Sequence, residues 1–148
     1  NLGTVLNRTA FLILYAQACS VAGQLARGME ALNESIDLGE RTGERWFEAE
    51  TYRTKGELIL QMAAGSLLTE ETIAEAETCY QAGRRIAEKQ EAKMLELRAT
   101  SSLCLLWQHL DKGQDGVPIL SEIVNWFSEG LDSLDLRQAK TMLKKLNN

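Results

Sequence analysis

The sequence predicts an all-α fold of three antiparallel helical hairpins followed by a C-terminal capping helix. Three observations carry that reading. Apolar residues recur at spacings of three and four along the chain, and no stretch alternates apolar and polar residues long enough for a sheet. The breaks between the apolar stripes are short, which forces consecutive helices to lie antiparallel as neighbours. Small residues also return at fixed intervals, the mark of a repeated unit.

The first stripe is Leu12, Tyr15, Ala16, Cys19 and Ala22, and the break Ala22-Gly23-Gln24 ends it. Met29, Leu32, Ile36 and Gly39 form the second, which closes at Thr42-Gly43-Glu44. Phe47, Tyr52, Ile59, Leu60 and Met62 mark a third helix; Ile73, Ala76, Tyr80, Gly83, Ile86 and Ala87 mark a fourth. Thr69 followed by Glu70 and Glu71 reads as an N-cap with acids at the positive helix end. The fifth stripe is Leu95, Ala99, Leu103, Leu106 and Trp107, ending at Asp111-Lys-Gly-Gln114. A sixth holds Ile119, Leu120, Ile123, Trp126 and Phe127, with the single proline, Pro118, placed where a helix start tolerates it. After Glu129-Gly130-Leu131-Asp132, Asp132 or Ser133 is expected to cap a last helix carrying Leu136, Ala139, Leu143 and Leu146. The hairpins are expected at about residues 4–42, 44–89 and 92–128, and the capping helix at about 133–146, in one helical repeat domain.

Gly56 sits among good helix formers, where glycine costs about 1 kcal/mol relative to alanine. The repeat accounts for it. Ala16 to Gly28 spans 12 positions, as does Cys104 to Gly116; Gly28 to Gly56 spans 28, as does Ala76 to Cys104. Gly56 to Ala76 spans 20, an excess of 8 that falls on Ala64-Gly-Ser-Leu-Leu-Thr-Glu-Glu71, a loop insertion. Without it the period is 40 residues. Small residues at the helix crossing let two backbones approach, so Ala16 is expected to meet Gly28, Gly56 to meet Ala76, and Cys104 to meet Gly116.

Bulk properties narrow the function. The 148 residues are 45% hydrophobic, enough for one substantial core and too apolar for disorder. A net charge of −5 gives no basic footprint, so no nucleic-acid partner is expected. The longest strongly apolar run, Phe11–Tyr15, is far short of the ~20 residues that span a bilayer, so no membrane partner is expected either. The first residues lack a basic start before a cleavable apolar stretch, which points to the cytoplasm. Asn1 opens the chain in place of methionine, and a fragment of a longer protein is expected. Cys19, Cys79 and Cys104 are odd in number and widely spaced, which suits buried thiols better than metal ligands or disulfides. Asn7-Arg-Thr and Asn33-Glu-Ser match the glycosylation pattern by chance in a chain without an export signal.

Small residues 12 apart, with a larger residue four beyond and a small one three further on, resemble the tetratricopeptide repeat. Gly28, Leu32 and Ser35 fit that second-helix pattern, and Ala76, Tyr80 and Gly83 fit it better, with Glu75-Ala76 as the characteristic dipeptide. Gly116, Leu120 and Ile123 fit it poorly. The period of 40 exceeds the ~34 of that family, and its repeat-ending proline is absent, so the resemblance implies an α-solenoid with lengthened helices. Six further blocks occur in an order that covers nearly the whole chain: Gly43–Glu50, Lys55–Leu58, Ala74–Glu77, Leu95–Thr100, Asn125–Asp132 and Asp135–Lys140. They resemble the C-terminal repeat region of large bacterial signalling proteins, which join a cyclase-type or DNA-binding domain to a P-loop ATPase module and a helical tail. That resemblance implies nucleotide chemistry in other domains. No phosphate-cradling Gly-rich loop with Lys and Ser/Thr occurs in this sequence.

No residue constellation suggests catalysis, and no cofactor or metal is expected. His109 is the only histidine and suits an exposed or capping role. Glu48, Glu50 and Glu57 read as a solvated helix face interleaved with Arg45, Arg53 and Lys55. Trp46, Trp107, Trp126 and Phe127 read as core. By the resemblance, the concave face that would hold a partner carries Ile13 and Gln17, then Arg53, Glu57 and Gln61, then Arg98, Ser101, Leu105 and Gln108. Arg53 and Arg98 offer charge-assisted hydrogen bonds to a carboxylate, or internal pairs such as Arg53–Glu57. The expected function is a non-catalytic protein-interaction or scaffolding module that binds a protein, a peptide or its own ATPase domain. The alternative is a small-molecule sensor whose superhelix closes on an effector. A partner groove would be open, with mixed charge and aromatic residues; a sensor would hold an apolar cavity.

Overall fold

In the computed structural model the backbone is described for residues 2–147 and the side chains for residues 8–147. Seven helices follow in order among the described residues: α1 (Leu2–Val21), α2 (Leu25–Thr42), α3 (Glu48–Ala63), α4 (Glu70–Lys89), α5 (Lys93–His109), α6 (Gly113–Trp126) and α7 (Leu134–Leu146). No strand occurs among them, and the all-α class holds.

Paired helices run antiparallel. Arg8 meets Glu34 while Ala16 meets Gly28, and Lys93 lies over the Trp126 ring while Cys104 meets Gly116. Every helix packs on its neighbours in sequence. The odd helices also touch in turn, α1 on α3, α3 on α5 and α5 on α7, whereas α2, α4 and α6 make no contacts with one another. The chain therefore forms two rows, odd helices on one side and even helices on the other. Buried apolar residues fill the space between them in three clusters, centred on Leu32 and Leu58, on Tyr80 and Leu103, and on Leu97, Leu120 and Leu136.

Local chemistry sets the helix ends. Thr69 caps α4 through its side chain, which accepts from the Thr72 amide at 3.2 Å. Gly43 ends α2 in the left-handed region at φ 74°, its amide bonding the Gly39 carbonyl. Ser133 occupies the N-cap of α7 but its hydroxyl makes no capping bond, in contrast to the expectation. Pro118 lies in the second turn of α6, deeper than a helix start, and leaves the Gln114 carbonyl without its usual amide donor.

Two of the three expected small-residue crossings occur. A Cβ on Gly28 would lie 3.2 Å from the Ala16 carbonyl oxygen, and one on Gly116 would lie 2.5 Å from Cys104 Sγ. The third differs. Gly56 faces not Ala76 but the ring of Tyr80, one turn further along α4, where a Cβ would lie 2.7 Å from Cε1. Gly83 makes the companion approach, since its Cβ would lie 2.8 Å from the Ala49 carbonyl oxygen. All three cysteines are buried free thiols. Trp46 and Trp126 are not core: they are 71% and 61% exposed. Trp46 precedes α3 in a turn, where helical spacing has no meaning, and Trp126 ends α6 after Leu120, Ile123 and Val124 have filled the inner face. Tyr15 and Met62 likewise point outward.

Candidate functional site: a groove along the odd helices

Because the odd helices touch one another, their shared outer side is continuous. It forms an open groove of about 870 Å³ lined by α1, α3, α5 and α7. Gln17, Arg53, Glu57, Arg98, Ser101, Leu105 and Gln108 all line it, so residues far apart in sequence share one surface. Gln61 does not line it: this exposed side chain accepts a hydrogen bond from the Ser20 hydroxyl at 2.7 Å. Ile13 is buried, 4% exposed, and packs inward with Ala16 and Leu32. Among the described residues no aromatic lines the groove, and the apolar side chains that do are Leu105, Leu134 and Met142.

The floor is an ion-pair cluster on α3. Arg53 Nε donates to Glu50 Oε2 at 2.9 Å and its Nη2 to Glu50 Oε1 at 2.7 Å, a bidentate pair, while Nη1 donates to Glu57. Gln17 of α1 reaches the same Glu50 at 3.4 Å. Glu50 is 8% exposed, so it is a buried charge and not part of a solvated face. Helical spacing explains the geometry, since 50, 53 and 57 fall on one side of α3. Burial works against the charge on Arg53, but the hydrogen bonds and charge of Glu50 and Glu57 outweigh it and raise its pKa further. Burial pushes the Glu57 carboxyl up; Arg53 pulls it back, and the nearby charge of Glu50 adds to the rise. Behind the floor, burial raises the Tyr80 phenol, helped by the charge of Glu57.

Arg98 is also engaged: its Nε donates to Asp135 Oδ2 of α7 at 3.0 Å. The two arginines expected to receive a carboxylate thus already hold one each from within the chain. Two other groove cations, Arg137 and Lys145, make no ion pair among the described residues. They belong to α7, which supplies a wall that the sequence reading assigned to capping alone. The repeat carried the signal. Advancing Arg98, Ser101 and Leu105 by the 40-residue period gives Gln138, Thr141 and Lys145, all of which line the groove.

Among the described residues no group of His, Cys, Asp and Glu converges to hold a metal ion, and no helix is long and apolar enough to cross a membrane. His109 is exposed at the last residue of α5 and lies outside the groove lining. The shifted groups Arg53 and Glu57 pair with one another, and the Ser102 hydroxyl of α5 hydrogen-bonds the same Glu57 carboxylate. What the site offers is an open groove on an all-α scaffold with internal ion pairs and, at one wall, Arg137 and Lys145, which form no ion pair among the described residues.

No family model matches the chain, and no solved structure matches it. It is 32% identical over 102 residues, 69% of its own length, to an uncharacterised protein of Rhizobium meliloti (strain 1021). The matched part is 9% of that relative's length.

Proposed function

We propose that this chain is a non-catalytic interaction module of a bacterial signalling protein, built as a tetratricopeptide-like α-solenoid. In this reading the groove docks a protein or peptide partner, or the protein's own ATPase domain, in the cytoplasm. The supporting observation is the division of labour in the groove. Arg53 and Arg98 are spent on Glu50, Glu57 and Asp135, while Arg137 and Lys145 form no ion pair among the described residues. A partner segment bearing acidic side chains suits that surface, although the chain as a whole carries −5. The test is a pull-down with the chain as bait, comparing wild type with Arg137→Glu/Lys145→Glu. Both positions are polar and at the groove edge, so thermal stability should stay within about 0.5 kcal/mol. Proteins retained by the wild type and lost by the double variant support the reading; an identical set from both overturns it.

One observation favours the alternative of an effector sensor: the groove volume of about 870 Å³ falls within the range of small-molecule sites. A metabolite that raises the wild-type melting temperature, but not that of a Leu105→Glu variant, would select that reading over partner docking.

A further inference from the structure

The outward face of α1 is apolar. Phe11, Leu14 and Tyr15 are 67%, 60% and 44% exposed, and Ala18 lies on the same side. Spacings of three and four make these one stripe. Arg8 is the only charged residue among the twenty of α1, few charges for a helix with an exposed face.

The repeat identifies that face. Advancing Phe11, Leu14, Tyr15 and Ala18 by the 40-residue period gives Thr51, Thr54, Lys55 and Leu58 of α3. With the loop insertion included, the same positions on α5 are Ala99, Ser102, Leu103 and Leu106. On α3 this face is covered by the preceding even helix: Thr51 bonds Ser35 at 3.3 Å, Lys55 bonds Asn33 at 3.1 Å, and Leu58 packs with Leu32, all on α2. On α5, Leu103 and Leu106 pack with Ala76, Cys79 and Tyr80 of α4. Ala99, Leu103 and Leu106 are at most 4% exposed, as Thr51, Thr54 and Leu58 are at most 2%. Among the described residues, only on α1 does the face lack a preceding even helix; its contact with an even helix is Tyr15 beneath Arg27 of α2, 6.0 Å from the ring centroid, and Phe11 and Leu14 stay mostly exposed. The other end of the stack is different, for α7 turns Arg137, Gln138, Thr141, Lys144 and Lys145 to solvent.

We infer that the stripe Phe11, Leu14, Tyr15 and Ala18 is an internal joint, covered by the second helix of a further hairpin that precedes residue 1 in the same polypeptide. That helix lies antiparallel on α1 as α2 lies on α3. It presents small residues, as α2 presents Gly28 and Ser35, because α1 carries the bulk on its own side where α3 carries Thr51 and Thr54. This inference does not rest on the groove or on its occupant.

Thiol labelling tests it. Leu14→Cys is introduced into the 148-residue chain and into a polypeptide extended by about 80 residues of its native upstream coding sequence. Cys19, Cys79 and Cys104 are buried and react slowly, and Glu40→Cys, exposed on α2, is the control. Labelling at position 14 should be fast in the short chain and at least about tenfold slower in the extended one, with the control equal in both. If Leu14→Cys lowers the helix content, Phe11→Cys on the same stripe replaces it. Equal rates at position 14 in both proteins overturn the inference, as does an upstream sequence that forms no helix. Protection in the short chain that grows with its concentration would assign the face to a second copy and also overturn it.

Discussion

The contact between Gly56 and Tyr80 predicts that Gly56→Ala destabilises a helix in which alanine is normally the better residue. In a free helix the change gains about 1 kcal/mol. Here the new methyl carbon would lie 2.7, 2.9 and 3.1 Å from Cε1, Cδ1 and Cζ of Tyr80, where real Cβ contacts essentially never fall below 3.0 Å. The ring is 3% exposed and packed with Ile59, Cys79 and Leu103, so it has nowhere to swing. Overpacking of this kind costs roughly 1–3 kcal/mol, which leaves a net loss of about 1 kcal/mol, or about 3 °C in melting temperature. Gly56→Leu should lose several times that. A double-mutant cycle in urea isolates the cause. In a Tyr80→Leu background the ring is gone, and Gly56→Ala should then stabilise by up to about 1 kcal/mol. If Gly56→Ala stabilises the wild type by the same amount as the Tyr80→Leu variant, the steric account of this glycine is wrong.

The two groove arginines should separate sharply in a thermal or urea melt. Arg53→Ala strands the buried Glu50 carboxylate and should cost about 3–5 kcal/mol, whereas Arg98→Ala breaks a half-exposed pair with Asp135 and should cost about 1 kcal/mol or less. Equal losses would contradict the burial of Glu50. Glu57 predicts a pH effect whose sign follows from its raised pKa: the folded protein holds this proton more tightly than the unfolded chain, so its contribution is present at acid pH and lost as pH rises through the folded value. Glu57→Gln removes that loss, so its stability relative to wild type should rise as pH increases above the ordinary glutamate range, and parallel stability curves would refute this. At the helix ends, Thr69→Ala should cost about 1 kcal/mol, while Ser133→Ala should be close to neutral because its hydroxyl caps nothing. A larger loss at Ser133 in circular dichroism melts would disprove the difference.

Much of the architecture was legible because its causes are local and periodic. Apolar residues every three or four positions mark each helix, and Gly23, Gly43 and Gly130 adopt positive φ at three of the breaks between them. The crossings at Gly28 and Gly116 followed from spacing alone. Pairing Gly56 with Ala76 failed because spacing fixes which helices meet, not their rotation, and α4 turns Tyr80 to the crossing. Trp46 and Trp126 failed for a related reason: hydrophobicity does not say on which side of a helix end a ring falls. In the groove, Gln17, Arg53 and Arg98, which the resemblance implied for one face, line the same surface. The resemblance did not reveal that Glu50 is buried. A carboxylate three residues from an arginine is usually a solvated partner, and only the arrival of α1 with Gln17 and of α5 closes water out.

That burial decides how the groove can be used. For an incoming carboxylate to take Arg53, it must displace Glu50, and Glu50 would then keep its charge at 8% exposure with only the distant amide of Gln17 at 3.4 Å. The exchange removes one charge-assisted bidentate pair to make another and adds the desolvation of the ligand, so it cannot drive binding. Asp135 is more exposed, and Arg98 is correspondingly easier to free. Arg137 and Lys145 need no exchange at all. Under the proposed function, an acidic group would therefore be held at the α5–α7 end of the groove, while the α1–α3 end keeps its internal pairs.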